Sequence, residues 1–546
     1  MRRGERVTTA RAVASQAPIG ATPEDARSRS AGAAVRRFWP GHRTAVLLGS
    51  VAVAAALLTF GRLHRLENGD SLVPVLVSLQ RWTPFFWDQE RYGMLVPLLA
   101  LPVRHPLWNL LAQRLLLGVA GLGAVVLLAR HVLAGRDWPL AGALAAAGLL
   151  AAAPAPWLFE YLFDQPYGLS LALAVAGLAL AEPRGDGRRP WARLVSGALL
   201  VVAAHWVNAA AGVLLGTLAA ARAAVDRLEG EDGRAVAARL ARDAGLLALG
   251  LVAGQVFLRA YPALSGTPLR LDVAPLPLSA LPGAWTTFFA NAWRNAGPWP
   301  AVLWAASVAG VGLLALPSLR RHLGGALLRV SALLGAALAY ALFAGSLRWV
   351  EENAFHWRYL APSALLVHLA AASLLAEPLA RLRRTARPAA LAALALIPVA
   401  ALAAAGPPSL ARLRGDLDAV AGRLTNDVLA ARCDVLVGEY WTVWPTVWHA
   451  ALVLHERGEA RRLYGLTHRA TPSAAVWWDR RGEVRLCRPA GEDAAAARWL
   501  RDFGMPPARA VERVGAVEVL APAAATGSPR APPPAMRGRP AVGPAR

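Results

Sequence analysis

Eleven apolar stretches of nearly membrane-spanning length recur along the 546-residue chain. A transmembrane helix needs about 20 predominantly apolar residues. Charged residues make up 17% of the chain, against about 25% in an average soluble protein. The sequence therefore predicts an all-α polytopic membrane protein and excludes an ordinary soluble enzyme. We place the spans at 44–61, 110–129, 138–153, 166–182, 194–206, 208–222, 243–260, 299–316, 324–345, 359–376 and 388–405.

The apolar stretch 194–222 is interrupted by the polar residues His205 and Asn208. Whether it forms one span or two decides on which side of the membrane every later loop lies. Polar side chains at the middle of a membrane span are costly. We therefore predict two short helices that meet near these residues, rather than one long tilted helix.

The placement of arginine predicts the side of each loop, because cytoplasmic loops are enriched in basic residues. Segment 1–43 contains nine Arg and three acidic residues, and we expect it to be a disordered cytoplasmic tail. With eleven spans, the short inside loops contain 16 Arg in 57 residues, and the outside loops contain 9 Arg in 117 residues. The N-terminus is therefore predicted to be cytoplasmic, and the region after residue 405 to be extracytoplasmic.

The region after the last predicted span, 406–521, has the mixed helix and strand patterns of a small α/β domain. Residues 522–546 are mainly Pro, Ala, Gly and Arg, and we expect them to be disordered. Both cysteines, Cys433 and Cys487, belong to the α/β domain. A disulfide on the oxidising side of the membrane and two buried thiols are equally compatible with the sequence.

The transmembrane domain, 44–405, has a long first outer loop, 61–109, in which Asp70 is the sharpest candidate for chemistry. The preceding Asn68 and Gly69 favour a tight turn that can hold a carboxylate at the membrane surface. An enzyme that moves a sugar from a lipid phosphate to a hydroxyl group needs a base for the hydroxyl proton. Asp70 can supply that base, and a helix-capping Asp is the structural alternative.

Two further acidic groups lie in predicted outer loops. Asp88 and Glu90 can bind an acceptor or a metal ion, with Arg91 beside them; the structural alternative is a solvated surface with a weak ion pair. Glu160 and Asp164 lie in the second outer loop, and they reach the first-loop acid if the two loops fold together. For this pair, a turn that caps two helices is the alternative.

Arg358 and Tyr359 precede the tenth predicted span. An Arg at this depth can bind a phosphate through two parallel hydrogen bonds, and the Tyr hydroxyl can bond to the same group. We expect Asp70 and Arg358 to meet over the same lipid headgroup. The alternative is a snorkelling Arg beside an interfacial Tyr. His205 is a further candidate substrate contact, although packing against Asn208 is the preferred interpretation.

This layout resembles the GT-C superfamily of integral membrane glycosyltransferases over about 44–405. Asp70 occupies the position of the first-loop catalytic acid. Arg358-Tyr359-Leu360-Ala361-Pro362 resembles an Arg-Tyr-x-x-Pro element whose Arg meets the lipid phosphate, and Arg91-Tyr92-Gly93 resembles a first-loop Arg/Tyr-Gly element. Many members have two adjacent acids after the first span, whereas this chain has Glu67 and Asp70, with two residues between them.

The resemblance implies an enzyme that transfers a sugar from a polyprenyl-phosphate donor to a glycan, lipid or protein acceptor on the outer face of the cell membrane. Mg²⁺ or Mn²⁺ is a candidate cofactor. The all-Arg, Ala-rich composition suggests a high-GC bacterial genome, and the acceptor would then belong to the cell envelope. The alternatives are a transporter of lipids or lipid-linked sugars and a non-catalytic partner in envelope-polymer assembly.

The absence of Lys excludes an ordinary P-loop ATPase. The formal net charge of +23 is typical of nucleic-acid binders, but the 58 basic residues lie largely between apolar stretches. We therefore expect no nucleic-acid partner.

Overall fold

The computed structural model describes residues 45–87, 93–133, 138–183, 190–265, 274–314, 316–382, 387–467, 484–502 and 505–522. The two predicted disordered tails, 1–43 and 522–546, lie outside these ranges, except for residue 522.

Most of the described chain before residue 430 is helical. The helices are α1 (Ala45–Thr59), α2 (Gly69–Leu79), α3 (Leu95–Ala100), α4 (Pro106–Val132), α5 (Trp138–Ala152), α6 (Ala155–Phe159), α7 (Tyr167–Ala181), α8 (Pro190–Val207), α9 (Ala210–Leu228), α10 (Gly233–Ser265), α11 (Leu281–Ala296), α12 (Trp299–Leu314), α13 (Pro317–Gly345), α14 (Arg348–Glu352), α15 (Ala361–Leu382), α16 (Arg387–Ala405), α17 (Leu410–Ala421), α18 (Thr425–Ala430), α19 (Tyr440–Glu456) and α20 (Asp493–Asp502). Three short 3₁₀ helices, Arg62–Leu66, Leu278–Ala280 and Trp357–Leu360, and one π-helical turn, Glu160–Asp164, lie between them.

The described residues contain fewer helices that can cross a membrane than the eleven predicted spans. Five helices are long and apolar enough to cross it. The number rises to seven if each of two bent helix pairs is counted as one span. The five are Pro106–Val132, Pro190–Val207, Gly233–Tyr261, Leu327–Gly345 and Trp357–Ala376. The chain is therefore a multi-pass membrane protein, but the count of eleven is not confirmed.

Length and charge explain the difference in the number of spans. Helices α1 and α5 have 15 residues each, which at 1.5 Å per residue gives about 22 Å, less than the ~30 Å hydrocarbon core. Helix α9 is long enough, but it carries Arg222, Asp226 and Arg227 near its end. These helices lie at the predicted positions and fall short of the requirements for an independent span.

The predicted interruption between 206 and 208 is confirmed, because α8 ends at Val207 and α9 begins at Ala210. The Asn208 side chain accepts a hydrogen bond from the backbone N–H of Ala210 at 2.9 Å. Its backbone carbonyl accepts another from the Ser170 hydroxyl at 2.7 Å. Asn208 therefore satisfies the polar groups that the break exposes.

The C-terminal region forms a five-stranded sheet of order β2-β1-β3-β5-β4. The strands are β1 (Val435–Val437), β2 (Tyr464–Leu466), β3 (Leu486–Pro489), β4 (Ala508–Val514) and β5 (Val517–Pro522). Strand β1 is parallel to β2 and β3, whereas β5 pairs antiparallel with β3 and β4. The α/β character agrees with the sequence prediction, which did not include the β4–β5 hairpin.

Cys433 and Cys487 form a disulfide, with their Cα atoms 5.7 Å apart. Cys433 lies just after α18, and Cys487 lies in strand β3, so the bond links these two elements. Of the two states that the sequence left open, the structure has the disulfide.

One apolar core joins the first outer loop to the C-terminal region. Leu72 and Leu76 of α2 belong to the same buried cluster as Val443, Trp444 and Trp448 of α19. Because this apolar surface is removed from water on both sides, the two helices are held together along their length. The packing brings a C-terminal segment to the beginning of α2, where Asp70 lies.

Candidate functional site

Asp70 lies in the first turn of α2, but it does not cap the helix. Asn68 is the N-cap residue: its side chain accepts from the Ser71 N–H at 3.1 Å, and the Ser71 hydroxyl accepts from the Asn68 N–H at 2.8 Å. Such a reciprocal pair satisfies two exposed helix donors. The capping alternative for Asp70 is therefore wrong, and its carboxylate binds groups from other parts of the chain.

Two distant residues contact the Asp70 carboxylate. Nη1 of Arg358 lies 3.4 Å from Asp70 Oδ2, and the Tyr440 hydroxyl donates a hydrogen bond to Oδ1 at 2.8 Å. Asp70 and Arg358 are 6% and 8% exposed, so a ligand would meet them in a largely desolvated setting. The proximity that the sequence predicted for Asp70 and Arg358 is present.

Arg358 belongs to the 3₁₀ helix that precedes α15. The His356 ring accepts from the backbone N–H of Arg358 at 3.2 Å. Burial and the positive charge of Arg358 lower the pKa of His356 to about 4, so the ring stays neutral and can accept this bond near neutral pH. Nη2 of Arg358 lies 3.4 Å from both Asn353 Oδ1 and the Tyr359 hydroxyl.

Glu160 and Asp164 approach the same site from the π-helical turn between α6 and α7. The two carboxyl groups interact with each other, and both lie within electrostatic range of Asp70 and Arg358. Oε2 of Glu160 and Oδ1 of Asp164 are buried without a hydrogen-bond partner among the described residues. The predicted meeting of the first two outer loops is therefore present.

Tyr440 was not among the predicted site residues. It begins α19 directly after β1, and an added Cβ at Gly69 would lie 2.6 Å from its ring. A glycine beside Asp70 therefore permits the close approach of the aromatic ring. The only sequence signal was the aromatic and acidic run Glu439-Tyr440-Trp441. That run does not specify which loop it contacts.

A second buried ion pair, between Glu67 and Arg114, was also missed. Nε and Nη2 of Arg114 donate to Oε1 and Oε2 of Glu67 at 2.8 and 2.6 Å. The Ser71 hydroxyl donates to Oε2 at 2.6 Å, and the His64 ring lies 3.0 Å from Oε1. Arg114 also donates to the backbone carbonyl of Phe163 at 2.7 Å. This cluster fixes the residues next to Asp70 and Asp164 relative to each other.

Burial alone would raise the pKa of Glu67. The charge and hydrogen bonds of Arg114, together with the contact to His64, outweigh burial and lower the pKa to about 2. Glu67 is therefore ionised throughout the physiological range, as its paired position requires.

His205 packs away from these residues. Its Nδ1 lies 2.8 Å from the Val201 carbonyl, and its ring lies against Gly212 of α9 and Gly250 of α10. In the part of the chain that the structure describes, no contact joins it to Asp70 or Arg358. His205 is therefore packed between helices, although against Gly212 and Gly250 rather than the predicted Asn208. Its role as a substrate contact stays a prediction.

Three predicted site residues, Asp88, Glu90 and Arg91, lie outside the described residues. Within the described ranges, no group of three or more His, Cys, Asp or Glu side chains could hold a metal ion. The residues that are described therefore supply no ligand set for the divalent cation considered above.

No protein-family model matches the chain, and no curated protein matches it. Among solved structures, the chain is similar to ArnT from Cupriavidus metallidurans bound to undecaprenyl phosphate, with 13% identity, a TM-score of 0.47, and coverage of 90% of this chain and 100% of that one. It is also similar to the archaeal oligosaccharyltransferase AglB from Archaeoglobus fulgidus in complex with an inhibitory peptide and a dolichol-phosphate, with 14% identity, a TM-score of 0.36, and coverage of 89% and 74%. Both TM-scores lie below 0.5, so the proposal below rests on the site's own residues.

Proposed function

We propose that the chain is a membrane glycosyltransferase that moves a sugar from a polyprenyl-phosphate donor to a hydroxyl group of a glycan, lipid or protein acceptor. The contact of 3.4 Å between Asp70 Oδ2 and Arg358 Nη1 carries the proposal. It places a carboxylate and a guanidinium side by side in a buried site. Arg358 is the second residue of the apolar segment Trp357–Ala376, which is long enough to span a membrane.

In the proposed reaction, Asp70 accepts the proton of the acceptor hydroxyl as its oxygen attacks the anomeric carbon of the sugar. The bond between that carbon and the phosphate oxygen breaks, and its electron pair leaves with the polyprenyl phosphate. Negative charge therefore moves from the acceptor side to the phosphate. A cation that is already positioned stabilises this charge without reorganisation.

Arg358 is the group that would bind the leaving phosphate. A guanidinium can present two parallel N–H groups to a phosphate, and the Tyr359 hydroxyl lies 3.4 Å from Arg358 Nη2. Asn353 lies beside the same nitrogen and holds the guanidinium near the acid. The position of Arg358 at the beginning of an apolar helix suits a phosphate whose polyprenyl chain remains in the bilayer.

Glu160 and Asp164 are the proposed contacts to sugar hydroxyl groups. Each has one buried carboxyl oxygen without a hydrogen-bond partner among the described residues, and a hydroxyl donor would satisfy it. Asp88, Glu90 and Arg91 remain predicted acceptor contacts. The Mg²⁺ or Mn²⁺ ion also remains a prediction, and no step of the proposed reaction uses it.

We propose the outer face of the membrane as the side of the reaction. The disulfide between Cys433 and Cys487 lies in the region that supplies Tyr440 to the site. Disulfides persist in oxidising compartments and are rare in the cytosol. This agrees with the distribution of Arg, which predicts an extracytoplasmic C-terminal region.

The proposal is tested with the full chain in nanodiscs supplied with a panel of polyprenyl-phosphate sugars and acceptors. The wild-type protein should release polyprenyl phosphate and extend an acceptor. Arg358→Gln should lower the rate by about 10²-fold, because one preorganised donor to the leaving group is lost. Arg348→Gln is the matched control, since Arg348 is exposed in the same segment. Equal rates for Arg358→Gln and the control would contradict the role of Arg358.

A further inference from the structure

A cavity lined by both apolar and charged residues lies at the end of α2 that is remote from Asp70. Its volume is about 470 Å³, and its walls come from the end of α2, the segment before α4, and the end of α19 with the loop that follows it. Asp70 and Gln80 are ten residues apart along one helix, which corresponds to about 15 Å. The cavity is therefore separate from the proposed reaction site, although both lie between the same two helices.

The charges around this cavity are predominantly positive. Arg104, Arg461 and Arg462 line it, and Glu459 is the one carboxylate among its lining residues. Glu459 also lies 3.9 Å from Arg457, which does not line the cavity. The three guanidinium groups attract an anion into the cavity, because they line it from two segments of the chain. Their planar geometry suits phosphate and carboxylate groups.

Two buried polar atoms in the cavity wall lack partners. Nη2 of Arg461 donates to the Cys433 carbonyl at 2.9 Å, which anchors the side chain, while its Nε is buried without a hydrogen-bond partner in the described ranges. Nε2 of Gln80 donates to the Leu463 carbonyl at 2.9 Å, and its Oε1 is likewise buried and unsatisfied there. Buried polar atoms are rarely left unsatisfied, so an unfilled N–H donor and an unfilled acceptor together indicate a ligand.

The two atoms without partners among the described residues, Arg461 Nε and Gln80 Oε1, indicate which chemical groups the ligand must carry. The Arg461 Nε–H needs an oxygen acceptor, as an oxyanion provides, whereas the Gln80 carbonyl oxygen needs a donor, as a hydroxyl group provides. We propose that this cavity binds an anionic saccharide through its phosphate or carboxylate group, at a site separate from Asp70. Arg461 and the two exposed arginines bind the charge, and Gln80 accepts from a sugar hydroxyl.

The experiment measures thermal unfolding of the full chain in phosphatidylcholine nanodiscs, at constant ionic strength set with sodium chloride. Glucose 6-phosphate is the probe, glucose is the neutral control, and inorganic phosphate reports the charge alone. A ligand that binds only the folded state raises the unfolding midpoint in a saturable manner. We expect glucose 6-phosphate to raise it most, inorganic phosphate to raise it less, and glucose to leave it unchanged.

The double variant Arg104→Gln/Arg462→Gln should raise the apparent dissociation constant for glucose 6-phosphate by about tenfold, because two charged donors are lost. Both residues are exposed, so the fold should persist. Arg423→Gln is the matched control, since Arg423 is exposed in the same region and does not line the cavity. Asp70→Asn should bind as the wild type does, which separates this proposal from the proposed transfer reaction.

Three results would overturn the proposal: no response to glucose 6-phosphate, an equal response to glucose, or an unchanged affinity in the double variant. Nanodiscs that contain phosphatidylglycerol distinguish a saccharide from a lipid headgroup. A response to glucose 6-phosphate that persists in them supports the saccharide. Its loss would assign the cavity to an anionic lipid and contradict the saccharide assignment.

Discussion

Two carboxylate–guanidinium pairs begin three residues apart in the first outer loop, and their geometry differs. Glu67 and Arg114 share two hydrogen bonds of 2.8 and 2.6 Å, and their side chains are 0% and 1% exposed. Asp70 and Arg358 share one contact of 3.4 Å, with side chains 7% and 10% exposed. The same chemical types therefore form a tight pair at one position and a loose pair at the next.

The partners of each pair indicate what it does. All three donor nitrogens of Arg114 bond to protein acceptors, and both Glu67 oxygens accept within the protein. A saturated buried pair fixes the backbone around it and has little capacity for a ligand. Asp70 and Arg358 are joined by a longer contact of 3.4 Å, which a bound substrate can displace. We infer that Glu67 and Arg114 are structural and that Asp70 and Arg358 are functional.

The largest effect on stability is expected for Glu67→Gln. The substitution leaves the Arg114 charge buried without its counterion, which costs about 3–5 kcal/mol in buried pairs. Unfolding of the purified protein by heat or denaturant should show this loss. Glu351→Gln is the matched control, because Glu351 is exposed, and it should change the unfolding free energy by less than about 0.5 kcal/mol. Similar stabilities for the two variants would show that the tight pair is not structural.

A graded effect is expected in acid. The folded pKa of Glu67 is lowered to about 2 from 4.5, so its contribution to stability is fully present above pH 4.5 and is lost as the pH falls toward 2. The difference in unfolding free energy between wild type and Glu67→Gln should therefore shrink across this window. A difference that stays constant from pH 6 to pH 2.5 would be inconsistent with a lowered pKa.

A smaller effect is expected for Tyr440→Phe. The variant removes the hydroxyl that donates to Asp70 and keeps the ring that packs on Gly69. Loss of one hydrogen bond to a charged group should slow sugar transfer by about tenfold, measured at a folded fraction matched to the wild type. Tyr464→Phe, on strand β2, should leave the rate unchanged. Equal rates for both variants would exclude Tyr440 from positioning the carboxylate.

The sequence predicts those features that depend on local pattern. Apolar runs predict the helices, and the polar residues of 205–208 predict the break at Asn208, because the cost of burying them is local. Asp70 and Arg358 were predicted to meet, because the sequence placed both of them near the predicted outer ends of spans. The number of spans is not confirmed, because helix length and side-chain charge near helix ends decide which of the described helices can span a membrane.

Features that depend on tertiary docking were not predicted. Tyr440 reaches Asp70 only because α19 packs along α2, and no periodicity in either segment specifies that partner. Arg114 lies within α4 and is paired with Glu67. A local sequence pattern does not predict that Glu67 pairs with Arg114, which lies 47 residues away. The packed structure is needed to infer that Glu67, rather than Asp70, is the structural acid.

The most direct test of the functional assignment is the rate of sugar transfer by Asp70→Asn, measured at a folded fraction matched to the wild type. Asparagine keeps the size of the side chain and cannot accept the proton. The predicted result is a rate lowered by about 10³-fold, because general-base catalysis is lost. A wild-type rate in this variant would contradict the account.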